Sequence, residues 1–101
     1  MQKNNKTLEH TELTELLLGR KGGKTTIKII DKLLLRPYTM NQLANILNMD
    51  YNTIKYHMKR IYKHQYVMKG EEKYGNLYFP SPKLKKSLNE FEQIKKYLRN
   101  G

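Results

Sequence analysis

The sequence predicts a mainly α-helical fold with one small β-hairpin, and three observations carry that reading. Apolar residues recur at helical spacing in five segments, within residues 13–17, 27–34, 43–47, 54–61 and 84–98. Between the fourth and fifth the pattern changes, where the β-prone runs YVMKG and NLYF flank the glycine-bracketed loop GEEKYG. Gly, Pro and Asn stand at the joints between segments.

Residues 1–10 are polar and patternless and read as a mobile N-terminal arm. Thr11 caps a short helix with Leu13, Leu16 and Leu17 at helical spacing. GRKGGK, residues 19–24, ends it as a flexible cationic linker. Thr25 or Thr26 opens the next helix, whose stripe is Ile27, Ile30, Leu33 and Leu34. Pro37 stops that helix, because the residue before a proline is pushed out of helical geometry. A third helix starts near Thr39 or Asn41 and carries Leu43, Ala44, Ile46 and Leu47. It breaks at Asn48, a residue that tolerates left-handed backbone. Asp50 or Asn52 caps the fourth, with Ile54, Met58 and Ile61 inward. The hairpin follows. After Pro80 and Pro82 a single last helix is expected from about residue 83 to 99, with Leu84, Leu88, Phe91, Ile94 and Leu98 along one side.

A length of 101 residues bounds the chain to one domain with a modest core and no deep substrate cavity. With 20 Lys and Arg against 9 Asp and Glu, the net charge is +11, which points to a polyanionic partner. There is no cysteine, which removes disulfides, thiolate metal sites and a cysteine nucleophile, and fits a reducing cytoplasm. No apolar run approaches the ~18 residues of a membrane span. MQKNNKTLEH lacks the apolar centre of a secretory signal, so the expected compartment is the cytoplasm.

The order helix, helix, tight turn, helix, hairpin, helix belongs to few small folds, chief among them the winged helix-turn-helix. Residues 40–61, MNQLANILNMDYNTIKYHMKRI, fit its joint. Two steeply crossed helices need a small residue where they approach, and Ala44 is one. Their turn needs a residue comfortable at positive φ, met four positions on by Asn48. A β-branched anchor for the second helix is supplied by Ile54. An ordinary helical hairpin remains the alternative.

The stretch TIKYHMKRIYKHQYV, residues 53–67, resembles the recognition helix and start of the wing in the ArsR-like winged helix regulators. Thr53, Ile54, His57, Met58, Ile61 and Val67 occupy the positions of that pattern. TTIKIIDKLLLRPYTMNQLANIL is similar to the version found in archaeal regulators of the group. The likeness covers roughly residues 18–80 and is weak in the arm and last helix. It implies a winged helix-turn-helix over residues 11–82, with residues 83–101 as a C-terminal helix for dimerisation. Metal-sensing members bind their metal largely through cysteines, so the resemblance gives no support to metal sensing here. In the family the residue matching His57 is structural or a neighbour of phosphate.

On the fourth helix, the face opposite the inward set carries Tyr51, Asn52, Thr53, Lys55, Tyr56, Lys59, Arg60 and Lys63. A recognition helix enters the major groove by its N-terminal part. Asn52, Thr53, Lys55 and Tyr56 are therefore expected nearest base edges, with Lys59 and Lys63 on phosphates. No acidic residue lies between Tyr51 and Lys69, and residues 19–69 hold eleven Lys and Arg against Asp31 and Asp50 alone. In the hairpin loop Lys69, Lys73 and Tyr74 are further candidates, opposed by Glu71 and Glu72. The GRKGGK linker serves either as a phosphate contact or as a plain hinge.

Other signals fall away. GRKGGKT has three residues where a P-loop needs four between Gly19 and Gly23, and no strand precedes it. His57 and His64 stand two helical turns apart, too far to share a metal unaided, which leaves a metal between subunits as the remaining option. His10 lies in the arm. No nucleophile and base occupy a credible cleft, so neither catalysis nor a cofactor is expected. The apolar stripe of the last helix, together with Leu13, Leu16 and Leu17, suits a homodimer that places two recognition helices on successive turns of the major groove. The expectation is thus a sequence-specific double-stranded DNA-binding regulator, a homodimeric repressor of unknown effector, with residues 51–63 as recognition helix. Two alternatives remain: a non-specific chromatin or nucleoid protein, and a winged helix used for protein interaction or RNA binding.

Overall fold

A computed structural model describes residues 10–19, 21–71, 73 and 75–100, and in it the chain is mainly helical with one antiparallel hairpin. The arm expected at residues 1–10 lies outside this range except for His10, whose ring meets Glu15 at 3.0 Å.

Helix α1, Glu12–Leu18, begins where expected. Thr11 and Thr14 form a reciprocal capping box, each hydroxyl accepting the other's backbone N–H. Helix α2, Gly23–Leu35, starts two residues before Thr25, and this corrects the expected boundary. The cause is tertiary. Gly22 holds φ at +94° as the residue before the helix, and Gly23 is packed against α1. A Cβ on Gly23 would lie 1.8 Å from the Leu17 carbonyl oxygen. The glycines are thus a close-packed corner and not a loose hinge.

Arg36 returns to extended backbone before Pro37, and Tyr38 then exchanges hydrogen bonds with Tyr78. Helix α3, Met40–Leu47, opens on a second capping box between Thr39 and Gln42. It ends at Asn48, whose φ of 54° and ψ of 51° are left-handed as expected. Asp50 caps α4, Tyr51–Lys63, by accepting the Asn52 amide at 2.9 Å. Ile54, Met58 and Ile61 are fully enclosed, and His57, three residues after Ile54, turns inward with them.

Strands β1, Val67–Lys69, and β2, Tyr78–Pro80, pair antiparallel with Met68 opposite Phe79. The single last helix is corrected to two, α5 at Pro82–Lys86 and α6 at Leu88–Asn100. Ser87 makes the break. Its hydroxyl donates to the Lys83 carbonyl at 3.0 Å, taking the acceptor that its amide would use in a continuous helix. The amide bonds Leu84 instead, at 2.8 Å.

One core joins both ends of the chain. Leu13, Leu16 and Leu17 of α1 meet Ile27, Ile29, Ile30, Leu33, Leu43, Ile54, Met58, Ile61, Leu84, Phe91 and Ile94 in it. Six of the eight side chains expected at a dimer seam, Leu13, Leu16, Leu17, Leu84, Phe91 and Ile94, are therefore enclosed by their own chain. Only Leu88, 37 % exposed, and the partly buried Leu98 keep accessible surface. The apolar stripe reads as a seam in sequence because a monomer core and a dimer interface demand the same periodicity.

Gly23→Ala should cost about 3 kcal/mol, since backbone must move to admit the methyl group. Lys24→Ala, one residue on and exposed, should stay within about 0.5 kcal/mol of wild type. Urea unfolding of the two variants checks this, and equal losses would refute the packed corner.

Candidate nucleic-acid interface

The joint of α3 and α4 brings Ala44, Asn48 and Ile54 together. Asn48 turns the chain, and the Met49 amide reaches back to the Ala44 carbonyl at 2.9 Å. Ala44 and Ile54 are buried between the helices. With Ile54 inward, the other face of α4 is committed to solvent. Tyr51, Asn52, Thr53, Lys55, Tyr56, Lys59 and Lys63 are all exposed. Tyr51 and Tyr56 keep 40 % and 50 % of their surface accessible, too much for aromatic side chains with a role in the core.

Arg60 departs from this group. It is half-buried, and its guanidinium donates to the Leu16 carbonyl at 3.4 Å, so it leans onto α1. It lines, with Tyr56, Lys63, His64, Glu15 and Leu16, a cleft of about 270 Å³ between α1 and α4. In the hairpin, Lys69 lies 5.8 Å over the Tyr78 ring. Lys73 is exposed, and Tyr74 falls outside the described residues.

A groove of about 230 Å³ runs from the start of α3 to the hairpin. Thr39, Met40 and Asn41 line it together with Tyr51 of α4 and Lys69, Asn76 and Tyr78 of the hairpin. Sequence reasoning missed Asn41 and Asn76 here. The signal was Tyr38, whose pairing with Tyr78 ties the hairpin beside the start of α3.

Charge is sorted around the molecule by pairing. Glu12 binds Lys83 Nζ at 2.7 Å and His64 Nδ1 at 2.9 Å. Lys83 also donates to the His64 carbonyl at 2.9 Å and lies 4.6 Å over the Tyr66 ring. The Thr11 hydroxyl donates to Glu90. Lys95 bridges Asp31 and Glu92, and Asp31 foremost holds its ammonium above the usual lysine range. Burial pushes the Tyr66 phenol up to about 12. Among the described residues, Lys55, Lys59, Lys63 and Lys69 take no part in any ion pair. The paired acids leave the outer face of α4 uniformly cationic.

His57 is 6 % exposed and faces α2, with its Nδ1 3.2 Å from the Thr26 hydroxyl. Burial, and secondarily Arg60, lower its pKa from the usual 6.5. This is a structural position within the core. His57, His10 and His64 are held separately, and no three His, Asp or Glu side chains converge among the described residues. No helix is long and apolar enough to cross a membrane among them either.

Compared with family models, curated proteins and solved structures, the chain matches none.

The Glu12 clasp has a pH signature. Its Lys83 and His64 partners hold the carboxyl below the ordinary 4.5. Its stabilisation is full above that value and is lost as pH falls through the lowered one. Glu12 is 45 % exposed, so solvent screening keeps the effect small. Thermal unfolding across the acid range should show a shallower loss of Tm in Glu12→Gln than in wild type; identical acid limbs would argue against the clasp.

Proposed function

We propose that the protein is a double-stranded DNA-binding transcriptional regulator of winged helix-turn-helix type, with α4 as its recognition helix. One observation carries the reading. Seven exposed polar and aromatic side chains, Tyr51, Asn52, Thr53, Lys55, Tyr56, Lys59 and Lys63, share one face of α4 without a carboxylate among them. The element order supports the fold: α2, the extended Tyr38, α3, α4 and a hairpin correspond to three helices and a wing.

In this reading the start of α4 enters the major groove. Asn52 pairs with adenine and Lys55 with the guanine acceptors. Lys59 and Lys63 bind phosphates, which fix register and supply most of the affinity. The groove between Asn41, Tyr51 and Asn76 lies against the backbone, with Lys69 and Lys73 of the wing beside it. The regulator acts in the cytoplasm as a repressor that blocks promoter access, and as a homodimer it would pair through surface other than the six stripe residues enclosed in its core. The net charge of +11 also favours a second reading, a non-specific chromatin protein. Excess unrelated duplex separates them, because a regulator retains its site under competition.

Selection of bound fragments from genomic DNA should yield a defined site. The combined change Asn52→Ala, Lys55→Ala and Tyr56→Ala should abolish preference for that site. Lys59→Ala with Lys63→Ala should weaken all duplexes and reduce the salt slope by roughly 0.9 per lost contact. Unchanged affinity and slope in both variants would refute the assignment.

A further inference from the structure

We infer that His57, held as a neutral imidazole between the Gly22 corner and Thr26, is the latch that seats α4, and that its protonation releases α4 from that seat. The consequence for DNA rests on α4 being the DNA-contacting helix. The latch itself is a property of the chain alone.

Three neighbours hold the ring, which is 6 % exposed. Gly22 holds φ at +94°, and a Cβ there would lie 2.6 Å from His57 Cε1, so the ring occupies the space a side chain would need. Thr26, 0 % exposed, places its hydroxyl 3.3 Å from the Gly22 carbonyl and 3.2 Å from His57 Nδ1. A hydroxyl has one proton. With that proton directed at the carbonyl, Thr26 accepts from His57, which fixes the Nδ1–H tautomer and leaves Nε2 bare. The Tyr56 ring stands edge-on to the imidazole at 5.1 Å.

Protonation at Nε2 would add a buried charge with no anion to receive it. From α2 the ring meets the Thr26 hydroxyl, from the corner the Gly22 backbone, and from its own helix Tyr56 and the cationic Arg60. No carboxylate is bonded to it among the described residues. Burial first, then Arg60, hold the ring below the ordinary histidine value of 6.5. In acid the unfolded chain therefore takes up the proton before the folded one. The latch's contribution is full above 6.5 and is lost as pH falls below it toward the lowered value. Thr53 and Tyr56 adjoin the latch on the helix, so displacement of α4 displaces the face that reads DNA.

The test reads the protein alone and then with DNA. Imidazole nitrogen NMR reports the His57 tautomer, and amide exchange reports α4 from about pH 7.5 to about pH 5.5. Expected are an Nδ1–H tautomer and α4 protection that falls by up to about tenfold per pH unit, the limit for one linked proton. His57→Asn, whose amide supplies the same donor without titrating, should flatten that dependence. Nε2–H as the resident tautomer, or the same pH dependence in His57→Asn, would overturn the latch. Should that variant not fold, Thr26→Val serves, and an unchanged His57 tautomer in it would likewise overturn it. Duplex affinity of wild type should weaken in step with α4 protection. If no duplex binds while the ring and exchange results hold, the DNA reading falls and the latch stands.

Discussion

The carbonyl of Leu17 and the ring of His57 both lie where side chains at residues 23 and 22 would otherwise sit. Glycine at these two positions lets α1 close onto α2 and α2 onto α4 with no spacer between them. The consequences spread from there. With α1 this close, Leu13, Leu16 and Leu17 reach the same core as Ile54 and Met58. Phe91 and Ile94 of α6 close its other side. A chain this short has little apolar surface to spare, and sharing one core among six helices is what makes it sufficient.

That corner also decides which side of α4 is free. His57, Arg60 and Ile54 are drawn toward α2, α1 and α3, so among the described residues nothing buries the remaining face. Electrostatics reinforce the division. Glu12, Asp31 and Glu92 engage His64, Lys83 and Lys95, groups of the helix ends and of α5 and α6. Among the described residues no carboxylate pairs with the lysines of α4, and the field they project is directed outward from a single helix.

Most of the architecture could be read from local chemistry. Thr11, Thr39 and Asp50 mark helix starts because a short oxygen-bearing side chain satisfies an amide that the helix leaves over. Asn48 marks a stop because it tolerates left-handed backbone. The misreadings have non-local causes, or one competing local bond. The early start of α2 follows from close packing of Gly23 on the Leu17 carbonyl of α1, a tertiary contact that the helix propensity of Gly23 does not announce. Ser87 could have continued a helix, but its hydroxyl bonds the Lys83 carbonyl and its amide turns to the Leu84 carbonyl. Arg60 sits at the border of the polar face, where the pattern cannot say whether a long side chain turns to solvent or to α1. His57 carried a readable signal, since three residues from Ile54 places it on the same face.

The restraints on α4 are unevenly distributed along its length. Its middle is fixed by Thr26 and its later turns by Leu16. At its end His64 is held by Glu12 and its carbonyl by Lys83. By contrast its first turn is held by the Asp50 cap and Ile54, with Tyr51 in the groove beside the hairpin and Asn52 and Thr53 exposed. A helix anchored behind and open in front presents its first turn in one orientation without cost at the moment of contact. If α4 contacts DNA as proposed, such preorganisation removes part of the ordering entropy that would otherwise oppose binding. On the proposed reading, a buried histidine at mid-helix would therefore weigh more than any one surface lysine. Each lysine would add a single contact to DNA, whereas the seat of the helix would govern the placement of all of them.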